Sequence, residues 1–451
     1  MNREKTPASV PETGKQVGED LWQRYGAERG VWSESMLNAL ERGVKGNKWF
    51  SLIDKLASDR TLEIAWEKVR SNAGACGVDR TSVEFFAKDS QSRLLAVKER
   101  LMKNTYHPQP IRRVEIPKPG SKEKRPLGIP TVLDRVVQTA VKLAIEPIFE
   151  REFAPQSYGF RPGRGCKDAL REVEKRLREG YTLVVDVDIK GYFDNIPHEP
   201  LMKLVKERIG DGRVLELIEK FLKQGVLEEG IELEPEKGSP QGGVISPLLA
   251  NLYLNPLDWL LKEWGVIGVR YADDLVLLTR TAEEAQHALE RLEEWMGEAQ
   301  LTLHPEKTCL VDMDQSRAHF DFLGYRFLRT GKGKLIRLVS PKSKRKLRMN
   351  LRRPTRRTNG KCIPAIIAIL NPKLRGWFNY FQQAHVSEHI AMDKWVRMRL
   401  RSILRKRRKG RGRGRGLDHR RWPNRYFEEH GLFSLERARV EKLSLRRGAT
   451  C

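Results

Sequence analysis

Residues 266–278, VIGVRYADDLVLL, set two short apolar arms around a polar Tyr-Ala-Asp-Asp centre. Arms like these bury well as paired strands, which leaves the polar centre at the turn between them. The segment predicts a β-hairpin with Asp273 and Asp274 at its tip. A further strand is predicted at residues 182–189, TLVVDVDI. With period two, Val185, Val187 and Ile189 share one face, and Val184, Asp186 and Asp188 the other. Taken singly, Asp188 reads equally well as the cap of the next turn, and Asp194 with Asn195 as plain turn residues. Taken together, three carboxylates at strand ends would repel one another unless cations lay between them. Mg²⁺ takes oxygen ligands in tight octahedral geometry, and a pair of such ions suits in-line attack of a 3′-hydroxyl on an α-phosphate.

Charge points to the same partner class. The 451 residues carry a formal net charge of +26, and the basic residues are clustered. Nine of the sixteen residues at 342–357 are Lys or Arg, as are eleven of the nineteen at 397–415, with no acid in either block. Blocks this dense repel each other without a polyanion, so nucleic acid is the expected partner. No apolar run approaches the roughly 20 residues that cross a bilayer. The polar N-terminus has no signal core, so no membrane partner and a cytoplasmic location are expected. The five cysteines form no C-x-x-C pair, which suggests neither a disulfide framework nor a zinc site.

Along the chain, residues 1–45 read as a weakly ordered extension. Helical spacing follows over 49–86, then a basic hairpin at 111–130 with its turn at Pro-Gly-Ser, and a helix over 133–150. Thr281 and Glu284 form a capping box ahead of another helix. Asn371 and Pro372 read as N-cap and first residue of a helix whose Leu374, Trp377, Phe378 and Phe381 form a core face. A basic helix spans about 388–409. The RGRGRG run at 411–416 reads as a linker to a small last module.

The motifs DIKGYFDNI (188–196), GSPQGGVISPLLANLYLN (238–255), YADD (271–274), LTLHPEKT (301–308) and FDFLGYRF (320–327) resemble, in sequence and order, the palm blocks of group II intron-encoded reverse transcriptases, also called intron maturases. IPKPGSKEKRPLGIP, SYGFRPGRG and the Gly77-Val-Asp79 segment resemble that family's fingers blocks. The sequence departs at Arg80, where relatives often have Gly. The resemblance covers about residues 70–400. It implies an α+β right-hand polymerase: fingers and an antiparallel palm sheet over 46–330, a helical thumb or maturase domain over 331–410, and a basic nucleic-acid-binding module over 411–451.

The resemblance also implies roles. Asp188 and Asp273 would bridge two Mg²⁺ ions (or Mn²⁺), with Asp274 beside the primer end and the backbone carbonyl of Ile189 as a further ligand. Lys118 and Arg125 would hold the incoming triphosphate, and Gly191, Tyr192, Phe193 and Gln241 would complete the dNTP site. Phe193 stands where similar enzymes place a ring that excludes the 2′-hydroxyl, though its residue type alone fits a core aromatic as well. Tyr271 and Lys307 would lie near primer and template. LNPKLRGWFNYF (370–381) and DKWVRMRLRSIL (393–404) resemble the thumb, and Lys342, Lys344, Arg345, Lys346, Arg348, Arg352 and Arg353 would bind intron RNA. The paired C-x-x-C endonuclease of many relatives has no counterpart here. The implied function is RNA-directed DNA synthesis for an intron, with RNA template, DNA primer, target DNA and intron RNA as partners. Two alternatives stay open: a free-standing reverse transcriptase recruited to repair or defence, and a splicing factor with a vestigial polymerase.

Overall fold

The computed structural model describes residues 21–117, 124–228, 231–233 and 235–448. The described chain divides into two units, the first running to Leu310 and the second beginning at Val311. The break precedes the expected boundary at 330, because residues 319–339 build a sheet of their own on the helices that follow them.

In the first unit, α1 (Asp59–Asn72) is capped by Ser58, whose hydroxyl accepts from Thr61 N, and it buries Leu62, Ala65, Trp66 and Val69. Next comes a hairpin of β1 (Ile111–Pro117) and β2 (Lys124–Ile129), antiparallel from Arg112↔Ile129 to Pro117↔Lys124. The expected Pro-Gly-Ser turn and Lys118 lie outside the described residues. Thr131 caps α2 (Val132–Glu152), which packs against α1. Val136, Val137, Ala140, Val141, Ile145, Ile148 and Phe149 make α2 apolar almost all round, as a helix through a core must be. Each fully buried Val, Ile or Phe contributes about 1.5–3 kcal/mol.

Three of the four strands of the palm sheet are β3 (Leu183–Asp188) and, after α3 (Ser246–Glu263), β4 (Ile267–Tyr271) and β5 (Asp274–Thr279). Their order is β4-β5-β3, all antiparallel. The expected capping box is present: Thr281 accepts from Glu284 N and starts α4 (Ala282–Glu298), which packs on β3 and β5.

The residues from 21 to 42 depart from the expected weak order. Leu21, Tyr25, Val31, Trp32, Leu37 and Leu40 are buried in the first unit's core, and Trp32 Nε1 donates to Leu143 O at 3.0 Å. That many apolar side chains in one short stretch outweigh its polar surroundings. Residues 1–20 lie outside the description.

In the second unit, β6 (His319–Phe322), β7 (Tyr325–Arg329) and β8 (Leu335–Val339) form an antiparallel sheet in the order β8-β7-β6. Helices α5 (Pro341–Arg352), α6 (Ile363–Phe381), α7 (Val386–Arg407) and α8 (Leu435–Gly448) complete it. Tyr325 Oη donates to Tyr380 O at 2.6 Å and joins sheet to α6. The expected start of α6 at Asn371 is corrected: the helix begins at Ile363, and Pro372 lies inside it. Pro364 takes the first turn, where a missing N–H costs nothing, and the buried stripe Ile363, Ile366, Ile367, Leu370, Leu374 runs unbroken past Pro372.

The RGRGRG run is not a free linker. Gly414 N donates to Ser402 Oγ at 3.3 Å, Arg415 N donates to Asp418 Oδ2 at 3.0 Å, and the Arg405 guanidinium donates to Asp418 Oδ2 at 2.5 Å. Residues 411–435 thereby close onto α7, and α8 packs along it. No helix among the described residues is long and apolar enough to cross a membrane.

Candidate active site

The β3–β5 register places Asp188 directly opposite Asp274, and the β4–β5 register pairs Tyr271 with Asp274. Ala272 and Asp273 therefore form a two-residue turn. Neighbours across an antiparallel pair stand about 4.5–5.5 Å apart at Cβ, so two carboxylates face each other with the third beside them. Ala272 has φ 59°, a left-handed conformation that favours glycine.

The oxygen-only donor set suits a hard divalent cation. As the side chains stand, no three His, Cys, Asp or Glu residues among the described ones converge into a ready ligand cage. Lys307 Nζ instead lies 3.2 Å from Asp188 Oδ1 and 3.4 Å from Oδ2. Both partners are solvent-exposed, so the pair contributes at most about 1 kcal/mol and yields readily to a competing cation. Lys307 thus sits at the carboxylates themselves. Ile189 pairs with Leu303 in an isolated bridge whose hydrogen bonds are made by its neighbours, Lys190 N to Thr302 O and His304 N to Asp188 O.

One buried ion pair holds the turn, and a second holds the 154–157 segment beside it. Arg270, fully buried on β4, donates from Nε to both oxygens of Asp258 on α3, at 2.9 and 3.0 Å. Its Nη1 donates to Asn251 Oδ1 and to Ala272 O, each at 3.0 Å. Arg161 donates from Nε to both Glu150 oxygens at 3.0 Å, and from Nη1 to Ala154 O and Ser157 O. Asn251 Nδ2 donates to Gly159 O at 2.6 Å. Gly159 lies so close to the turn that a Cβ there would stand 2.3 Å from Ala272 N. Only glycine permits that approach. Motif spacing gave no sign of Arg270, Asp258 or Glu150; Arg270's place beside the Asp-Asp centre was the one available signal.

Nearby, Gly191 has φ 55° and starts the short helix Tyr192–Asn195. Tyr192 is corrected: its ring is fully buried and its hydroxyl donates to Ala250 O at 2.5 Å, so it belongs to the core and not to a nucleotide surface. Burial drives its phenol well above the ordinary range. Phe193 is half-buried against the core, with its carbonyl accepting from Ser239 N at 2.7 Å. Gln241 Nε2 donates to Asp194 Oδ2 at 2.9 Å, and Gly128 N on β2 donates to Gln241 O at 2.7 Å. A Cβ on Gly242 (φ 119°) would stand 2.1 Å from Gly128 O, so the Pro-Gln-Gly-Gly loop is pressed against the hairpin. A cavity of about 220 Å³ opens here, lined by Arg113, Asp194, Lys237, Ser239 and Gln241. Arg125 holds its place in β2 opposite Ile116. Tyr271 is half-buried, 6.2 Å from the Phe160 ring. Burial, then a hydrogen bond with Cys166, raises its phenol to about 12. Arg80 has φ 54°, a left-handed conformation that favours glycine.

In the second unit, Lys342, Arg345, Lys346, Arg352 and Arg353 are exposed. Lys344 and Arg348 are half-buried: Lys344 pairs with Glu388, and Arg348 stacks on Trp395. Much of the second basic block is also engaged. Arg399 donates to Thr355 O and Arg352 O, Arg401 to Trp422 O, and Arg407 to Asn359 O.

Residues 116–327 match the family described as "Reverse transcriptase (RNA-dependent DNA polymerase)", and residues 344–422 match "Group II intron, maturase-specific domain". Protein YkfC of Escherichia coli K12 is 35% identical over 298 residues, which cover 56% of this chain and 76% of that protein. Group II intron-encoded protein LtrA of Lactococcus lactis is 43% identical over 197 residues, 43% of this chain and 32% of LtrA. The matched region thus spans about a third of LtrA's length.

Proposed function

The chain belongs to the group II intron-encoded reverse transcriptases, and from that premise we propose that it synthesises DNA on an RNA template and binds its parent intron RNA. The observation that carries the proposal is the register that sets Asp188 against Asp274 with Asp273 in the adjoining turn.

Asp188, Asp273 and Asp274 would hold two divalent ions, Mg²⁺ by the oxygen donor set, with the Ile189 carbonyl as a further ligand. When bound, such ions activate the primer 3′-hydroxyl and stabilise the departing phosphate oxygens. The remaining work falls to the chain's own side chains. By the family resemblance, Lys118 and Arg125 would supply positive charge to the triphosphate of the dNTP, which stabilises charge developing on the leaving group. Gly191 and Gln241 shape the floor of the site, and the cavity beside Gln241 accommodates the sugar and base edge. The Phe193 ring excludes a 2′-hydroxyl by overlap. Lys307, whose exposed pair with Asp188 is weak, would be available to the primer beside Tyr271 once divalent ions were held by the carboxylates. The exposed residues Lys342, Arg345, Lys346, Arg352 and Arg353 bind intron RNA through its phosphates, with Lys344 and Arg348 at the edge of that surface. The match to a maturase-specific domain favours this RNA role over a polymerase recruited to repair or defence.

Asp273→Asn tests the proposal. Primer extension on an RNA template is expected to vanish, while filter binding of RNA stays within a few-fold of wild type, because affinity resides on the basic surfaces. Retained synthesis would remove Asp273 from the site.

A further inference from the structure

The Arg270 network has no explanation as a stabilising device. A buried ion pair gives little net stability, since apolar side chains of the same volume fill such a space at no desolvation cost. Here the pair is fully buried on both sides. What distinguishes it is where the remaining guanidinium donors go. Nε serves Asp258, while Nη1 reaches the Ala272 carbonyl, one residue before Asp273. The same Nη1 also reaches Asn251, which in turn holds Gly159 against the turn. Backbone bonds fix the arginine itself: its N–H donates to Gln156 O at 3.0 Å, and its carbonyl accepts from Tyr158 N at 2.8 Å. The gripped residue is the one with strained backbone, an alanine at φ 59°. Such strain persists only where its surroundings over-determine it.

We propose that Arg270, backed by Asp258 and Asn251, is the positioning residue of the Ala272–Asp273 turn, and that its buried guanidinium sets where Asp273 and the adjoining Asp274 stand for the divalent ions. The inference rests on the polymerase reading above. A guanidinium suits the task because its donors diverge in one rigid plane, two toward a carboxylate and two toward other acceptors. A lysine keeps the charge opposite Asp258 and loses the simultaneous hold on Asn251 and Ala272.

The test is Mn²⁺ binding, followed by electron paramagnetic resonance, to full-length protein with a dideoxy-terminated primer on RNA template and the next dNTP. Arg270→Lys and Asn251→Ala are each expected to weaken Mn²⁺ binding about ten-fold and to lower kcat, with KM for primer–template unchanged. Ala272→Gly, which adopts the left-handed turn without strain, is expected to restore part of the Mn²⁺ affinity of Arg270→Lys. Should Arg270→Lys not fold, Asn251→Ala decides alone. Variants that lose thermal stability yet bind Mn²⁺ like wild type would make the network merely structural and overturn the proposal. A wild type that binds no Mn²⁺ would instead overturn the polymerase reading, and the inference with it.

Discussion

At the scale of single residues, two side chains separate function from packing. Phe193 is half-buried against the core, and its proposed role is to exclude a 2′-hydroxyl. Phe193→Ala is expected to raise the ratio of rNTP to dNTP incorporation in single-nucleotide extension; an unchanged ratio in a folded variant would assign the ring to the core. His389 is the opposite case. It is fully buried in the second unit, with the Trp377 and Phe378 rings 5.9 and 5.5 Å away. Burial, reinforced by the Arg439 charge, lowers its pKa to about 4. A folded value below the unfolded one means that stability is complete above about pH 6.5 and is lost as pH falls toward 4. At the full shift the loss is at most about 3 kcal/mol. Asp393, raised by burial, titrates with the opposite sign, so the informative quantity is a difference. The melting temperature of His389→Leu should fall less between pH 7 and pH 5 than that of wild type.

At the scale of elements, α8 depends on a cap supplied from another helix. Asp393 on α7 accepts from Ser434 Oγ at 2.9 Å, Leu435 N at 3.1 Å and Glu436 N at 3.1 Å. Asp393→Ala orphans those donors and leaves Arg397 without its buried partner, at a cost of about 3 kcal/mol. The expected result is faster amide exchange confined to 435–448; uniform exchange across α7 and α8 would refute a local role. The palm was legible in the sequence because its signals are local: alternation over 182–189, two apolar arms around Asp273 and Asp274, and the Thr281–Glu284 box. Arg270, Asp258 and Glu150 were not, because a buried charge is recognised only by the partner that the fold brings to it. Tyr192 misled for a related reason: a phenol inside a nucleotide motif looks polar until its hydroxyl finds a carbonyl. Asn371-Pro372 carried an N-cap pattern that a continuous apolar stripe overrode. The order of residues 21–42 depends on packing against distant helices, which composition does not report.

At the scale of the whole molecule, the basic blocks divide into an exposed set, proposed to meet RNA, and a set whose guanidinium groups are engaged within the chain. Replacing the exposed Lys342, Arg345, Lys346, Arg352 and Arg353 with Gln should flatten the salt dependence of RNA binding by roughly 0.7–0.9 for each phosphate no longer neutralised. It should also weaken any help given to splicing of the flanking intron at low Mg²⁺, whereas the Asp188→Ala, Asp273→Ala double variant should retain that help. Equal help from the charge-depleted protein would move the RNA surface elsewhere. Gln at Arg399, Arg401 and Arg407 should lower the melting temperature first, since these guanidinium groups hold backbone carbonyls.

The register that joins Asp188 to Asp274 spans eighty-six residues of chain. At the ribosome's pace of about 5–20 residues per second, the second carboxylate is made roughly 4–17 s after the first. Until β5 has emerged and paired with β3, the nascent protein lacks the carboxylate pairing on which the proposed polymerase site depends. If the message being translated is also the RNA this protein copies, that interval protects the transcript from its own product.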